Sequence, residues 1–193
     1  MKHKLLATFL LMALLISSLA YSSDFKKGFD AFQKEDFQQA YQIFRSLANQ
    51  GDALAQFTLG FMYETGQGVP QNDVEAVRWY RSAAEQGVAK AQNNLGSRYI
   101  LGQGVQKNDA EAVRWFRAAA EQGDVEAQAR LGSMYFVGRG VVQNHVQAHK
   151  WANISASQGN QSAVILRDLL AKGMTPAQIQ EAQKLAQEWV NSR

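Results

Sequence analysis

The segment Gly51 to Gln86, GDALAQFTLGFMYETGQGVPQNDVEAVRWYRSAAEQ, recurs from Gly87 and again from Gly123, a fixed period of 36 residues that leaves little choice of fold. The first copy matches the second at 23 of 36 positions, and the second matches the third at 15. A period of this size marks a solenoid unit, one that cannot bury its own apolar face and so must stack on its neighbours. The chain after its first residues therefore reads as one elongated array rather than as separate globular domains.

Within a unit, Ala55, Leu59, Gly60 and Tyr63 recur as Ala91, Leu95, Gly96 and Tyr99, and as Ala127, Leu131, Gly132 and Tyr135. Their spacing puts them on one face of a first helix. A glycine costs helix propensity, so its recurrence implies a neighbouring helix too close for a side chain. Gly66-Gln67-Gly68-Val69, Gly102-Gln103-Gly104-Val105 and Gly138-Arg139-Gly140-Val141 then end that helix. The paired glycines are not a phosphate loop: no strand precedes them, and a helix C-terminus repels anions. Asn72 to Glu75 and Asn108 to Glu111 carry the capping-box pattern of a second helix, with Asn144 to Gln147 a weaker version. Ala76, Trp79, Ala83 and Ala84 follow at helical spacing, and Gly87 closes the element. Trp79, Trp115 and Trp151 recur once per copy as packing residues, each costing ~3 to 5 kcal/mol if cut back to Ala.

The pattern Ala-x-x-x-Leu-Gly-x-x-Tyr, Gly-x-Gly-Val, Glu-Ala-x-x-Trp and Ala-Ala-x-x-Gly at this period resembles the Sel-one-like repeat (SLR), a relative of the tetratricopeptide repeat. The resemblance runs from Asp24 to the C-terminus. It implies an all-α fold, a right-handed α-solenoid of antiparallel helix pairs with about ten helices, used to hold other proteins. Several exported bacterial members work as adaptors in envelope assembly, signalling or host interaction. The array divides into an N-terminal tetratricopeptide-like capping unit at 24–50, repeats at 51–86, 87–122 and 123–158, and a C-terminal capping unit at 159–193. The first unit lacks the glycine loop, since Gly28 lies 12 residues before Ala40 whereas Gly60 lies 16 before Ala76. At the far end Thr175, Pro176 and Gln178 form a helix start in place of the loop. Both ends read as polar caps that close the array.

Residues 1 to 20 carry Lys2 and Lys4, an apolar run from Leu5 to Ile16 and a small-x-small end at Ser18-Leu19-Ala20, the layout of a cleaved export signal. Cleavage falls after Ala20 or after Ser22. The apolar run is 12 residues, short of the ~20 of a spanning helix. Without the two leader lysines the chain has 18 basic against 17 acidic residues, so its charge gives no warrant for nucleic-acid binding, which needs a clustered basic face. There is no cysteine, which excludes disulfides, thiolate metal sites and a lipidated N-terminal cysteine. The expected setting is the bacterial periplasm, with secretion as the alternative, and the expected state a monomer.

Columns that vary between copies are free to serve a ligand. Carrying the tetratricopeptide register over, the concave groove is lined by Phe25, Phe29 and Phe32, by Leu54, Phe57 and Phe61, by Lys90, Asn93, Ser97 and Ile100, and by Glu126, Ala129, Ser133 and Phe136. Such a groove, aromatic at one end and polar in the middle, suits an extended or helical peptide. Phe25, Phe29 and Phe32 read as core of a unit that must seal its own end, whereas Phe57 and Phe61 stand where later copies have Asn93, Ala129, Ser97 and Ser133. The expected function is a non-catalytic periplasmic scaffold or adaptor, the alternative an inhibitor or stabiliser of a cell-envelope enzyme.

No cofactor, metal or catalytic set is expected. His145 and His149 have the i, i+4 spacing of two zinc ligands but lack the glutamate of a zinc protease and a third ligand. Ser23-Asp24-Phe25-Lys26 matches Ser-x-x-Lys without the Ser-Asp-Asn or Lys-Thr-Gly of penicillin-recognising enzymes. Some exported members of the family are described as penicillin-binding or β-lactamase-like, and those resemble a cysteine-rich subgroup from which this chain departs. A cell-wall hydrolase is the remaining enzymatic reading, and no nucleophile and base stand at a fixed spacing to support it.

Overall fold

Most helix starts in this chain are set by side chains that accept the first orphan backbone N–H groups, α5 with Val88 at its start being an exception. A computed structural model describes residues 23–192, and these form ten helices with no strand among them. Helix α1 covers residues 23–33. It is followed by α2 (Phe37–Asn49), α3 (Ala53–Thr65), α4 (Asp73–Glu85), α5 (Ala89–Leu101) and α6 (Asp109–Glu121). The remaining helices are α7 (Val125–Val137), α8 (His145–Ser157), α9 (Gln161–Gly173) and α10 (Pro176–Asn191). The fold class is the expected all-α arrangement of antiparallel helix pairs; the export signal at 1–20 lies outside the described residues.

Asn72, Asn108 and Asn144 accept from the N–H groups of Glu75, Glu111 and Gln147 at 3.1, 3.1 and 2.9 Å. The reciprocal half of the expected capping box does not form there. Each Asn N–H donates instead to the carbonyl of Tyr63, Tyr99 or Tyr135 at 2.9 to 3.0 Å, tying the start of one helix to the end of its partner. The freed carboxylates of Glu75 and Glu111 take the guanidinium groups of Arg78 and Arg114 at 2.7 and 2.9 Å. Thr175 and Gln178 do exchange both bonds of a box, with Pro176 in the first turn.

The chain falls into two compact units, the first ending at Ser82 and the second beginning at Ala83. In the first, Ala40, Phe44, Leu47, Ala55, Leu59 and Met62 form a core that also takes in Trp79. In the second, Val113, Phe116, Leu131, Met134, Trp151 and Ile154 form the larger core. A smaller cluster of Ala148, Leu170, Met174 and Ala182 seats α9 and α10 on α8. Trp79, Trp115 and Trp151 are all buried, as their packing role requires. A cation lies over each ring, Arg78 and Arg114 at 4.1 Å and Lys150 at 4.6 Å from the centroid.

The recurrent helix glycine has a more specific cause than a close helix alone. A Cβ on Gly60 would stand 2.7 Å from the Tyr80 ring, and one on Gly96 would stand 2.7 Å from the Phe116 ring. In the third copy Ala152 replaces the ring, and a Cβ on Gly132 would meet the Ala148 carbonyl and the Ala152 nitrogen at 3.2 and 3.3 Å. The same column thus admits an aromatic ring twice and a helix backbone once.

One periodic feature escaped the apolar pattern. Gln56, Gln92 and Gln128 are buried, and their amides donate to the carbonyls of Ala48, Ala84 and Ala120 at 3.2, 3.0 and 3.2 Å. Gln122 and Gln158 then donate to Gln92 and Gln128, each at 2.8 Å. This ladder satisfies carbonyls near the ends of successive helices that burial would otherwise leave without water. Its signal was present as an invariant polar column directly beside the invariant alanine.

Candidate functional site

In the first unit α1 and α3 place Phe29, Phe32, Phe57, Thr58 and Phe61 around a cleft of about 270 Å³, with Phe44 of α2 among its lining residues. Phe44 is fully buried, whereas Phe29 is 49% and Phe61 37% exposed. The three N-terminal phenylalanines therefore divide. Phe25 meets Phe44 edge-on at 5.3 Å and Phe32 meets Phe37 at 5.1 Å, both packed against the core, while Phe29 opens to solvent. Phe57 is half-buried with its ring 5.8 Å from Tyr80, and Leu54 stands exposed one turn before it. Tyr80 is held by its hydroxyl on the Glu64 carboxylate.

In the second unit the corresponding face mixes apolar and polar groups. A cleft of about 260 Å³ is lined by Ile100, Phe116, Ala129 and Met134, with Glu126, Arg130, Ser133 and Ser162 around them. Arg130 donates to Ser97 Oγ at 2.7 Å and pairs with Glu126 at 3.1 Å, and its guanidinium lies 5.7 Å from the Phe116 centroid. Glu126 also accepts from Asn160 at 3.2 Å. Ser133 is exposed and donates to the Ala129 carbonyl of its own helix.

Other candidates from the sequence are committed elsewhere. Asn93 is interior, 5% exposed with its Oδ1 unpartnered, and so does not present a surface to a ligand. Lys90 is exposed but pairs at 2.9 Å with Asp124, whose other carboxylate oxygen caps α7. Phe136 lies 5.8 Å from His145 and packs against the α8 to α10 cluster. The C-terminal pair is less polar than a cap: α9 exposes Ile165 at 70% and Leu169 at 50%, one turn apart. By repeat spacing these occupy the columns of Phe57 and Phe61, a match that divergence of the fourth copy hid from the sequence reading.

The two histidines face different environments. His145 is exposed at the start of α8, and His149 is buried. Among the described residues no group of three or more His, Asp or Glu side chains is arranged to hold a metal. Ser23 and Lys26 both lie exposed on α1. Among the described residues no helix is long and apolar enough to cross a membrane.

Comparison with known proteins gives a consistent result. A Sel1 repeat model matches residues 25–52, 53–88, 89–124 and 125–160, the first match being shorter where the glycine loop is missing. A protective antigen present in uropathogenic Escherichia coli strains, which displays an SLR fold, is 40% identical with a TM-score of 0.73; the match covers 79% of this chain and 34% of that one. The chain thus spans about a third of that antigen's length. A Sel1 repeat protein from Oxalobacter formigenes is 42% identical with a TM-score of 0.61, covering 65% of this chain and 94% of that one. Helicobacter pylori cysteine rich protein B shares the fold at 22% identity and a TM-score of 0.53, covering 67% of this chain and 92% of that one. No curated protein matches the chain significantly. Repeats of this kind generally serve as scaffolds for protein–protein interaction, and with four of them across most of its length the chain belongs to the Sel1 repeat family.

Proposed function

We propose that this protein is a non-catalytic interaction scaffold of the bacterial cell envelope, exported by residues 1–20 and holding a partner protein or peptide against its first-helix faces. The observation that carries this reading is the aromatic cleft of Phe29, Phe32, Phe57 and Phe61. Large apolar side chains left open to water on an otherwise well-packed helix pair favour an apolar group from a partner. The mixed cleft of the second unit, with Arg130 between Ser97 and Glu126, supplies directional contacts of the kind that select among partners. The near balance of acidic and basic residues outside the leader favours recognition by shape and local contacts over long-range attraction.

The test is crosslinking in intact cells followed by mass spectrometry, comparing the parent with Phe57→Asp/Phe61→Asp. The expected outcome is one partner captured stoichiometrically by the parent and lost from the variant, with helicity and melting temperature retained. A variant that melts far below the parent would mean that both residues serve the core. Hydrolysis of nitrocefin or of a peptidoglycan substrate by the purified protein would overturn the non-catalytic reading.

A further inference from the structure

A histidine stands in the interior of the second unit where the other copies place a valine. His149 occupies the column of Val77 and Val113, is 3% exposed, and leaves its Nδ1 without a hydrogen-bond partner. Its helix, α8, packs against α7, α9 and α10, so the imidazole sits within the element that the C-terminal helices close upon. We propose that His149 is an acid-sensitive latch: its neutral form holds α9 and α10 on α8, and protonation loosens them.

The surroundings offer the imidazolium little compensation. The charged groups that act on it come from α9, where Arg167 disfavours the cation and Asp168 favours it. Those two pair with each other at 2.8 Å, so the carboxylate is already engaged. On α7, Glu126 and Arg130 are ion-paired and Tyr135 accepts from Arg117; on α10, Lys184 faces Glu188 at 3.8 Å, and Glu181 is exposed. His145, one turn earlier on α8, is in solvent. Burial first and Arg167 second hold the imidazole below its ordinary 6.5. The open form therefore takes up the proton more readily than the closed form. Stability of the contact is complete above pH 6.5 and is lost progressively as pH falls below it. Because α9 also carries the exposed Ile165 and Leu169, acid would disturb the framework of that surface.

The test is backbone amide exchange of the purified chain at pH 7 and pH 5, corrected for intrinsic rates, with fluorescence of the Trp151 and Trp189 pair as a second readout; the rings stand 5.7 Å apart. One proton bound only by the open form raises the opening constant of α8 to α10 by at most about 25-fold over that interval. His149→Val, the residue of the other copies, should abolish the rise. Arg167→Gln, which removes the opposing cation without touching the buried position, should reduce it. A parent with no rise, a rise of equal size in His149→Val, or a rise spread evenly over α5 to α7 would each overturn the latch.

Discussion

Gly102 and Gly140 have the same backbone conformation but different amounts of room, which allows the strain of a left-handed residue to be separated from that of a close approach. Their φ angles are +70° and +69°. An L-alanine at either position pays ~1 to 2 kcal/mol for the left-handed region. At Gly102 that is the main cost, because the nearest atom to the new Cβ is Lys107 Cβ at 3.4 Å, an ordinary contact. At Gly140 the Cβ would lie 2.2 Å from the Asp109 carbonyl oxygen, 2.4 Å from its carbon and 2.8 Å from the Ala110 nitrogen. Those atoms belong to the first turn of α6 and cannot rotate away. The loop would have to withdraw by about 1 Å, at an overpacking cost of ~1 to 3 kcal/mol or more. It would also strain the Arg139 to Asp109 ion pair, now 2.8 Å long. Gly140→Ala should therefore destabilise by ~2 to 5 kcal/mol and Gly102→Ala by ~1 to 2 kcal/mol. Both lose the same glycine entropy in the unfolded chain, so that effect cancels in the comparison. Urea unfolding followed by circular dichroism and by tryptophan fluorescence reads the difference as a midpoint gap of roughly 1 M for a slope of ~2 kcal/mol per molar. Equal midpoints would refute the close-approach argument and leave backbone strain alone.

Three further outcomes are expected. Gln128→Leu leaves the Ala120 carbonyl and the Gln158 amide without their ladder contacts and should cost ~1 to 3 kcal/mol in thermal unfolding, whereas an unchanged melting temperature would mean that the ladder is energetically idle. Thr175→Ala removes the cap of α10 and should cost ~1 kcal/mol, with faster amide exchange confined to the first turn of that helix. Tyr63 is pushed up to about 12, by burial first and then by the Tyr41 hydroxyl 3.0 Å away. The folded state resists loss of that proton, so stability is complete below pH 10 and falls between pH 10 and 12; Tyr41→Phe should lower the transition in an absorbance titration at alkaline pH, and no change would exclude the hydroxyl contact.

Much of the local structure was legible because it repeats. An Asn three residues ahead of a Glu, a Gly-x-Gly after an apolar stripe and a Gly three residues after an Ala-Ala pair report short-range constraints that hold wherever they occur. The capping boxes show where such reading stops. The Asn side chain found its expected backbone donor, but the return bond went to a tyrosine carbonyl on the preceding helix. That alternative exists only once two helices have packed.

The candidate surface was legible in part for the same reason. Phe57, Asn93 and Ala129 share one column, and variation in it pointed to a free surface. A helix face beside a neighbour offers each position a limited depth, so a phenylalanine reaches past it to solvent while an asparagine or alanine stays beneath. Ile165 and Leu169 stand exposed on the fourth copy, whose divergence had concealed their columns.

By itself the sequence determined the period, the helix ends and the identity of the buried stripe, because these follow from spacing, capping and turn chemistry within some forty residues. Tertiary structure alone decided which members of a column meet solvent. It brought Arg130 to Ser97 and left His149 Nδ1 without a hydrogen-bond partner, because each of these depends on distances between helices that no single repeat contains.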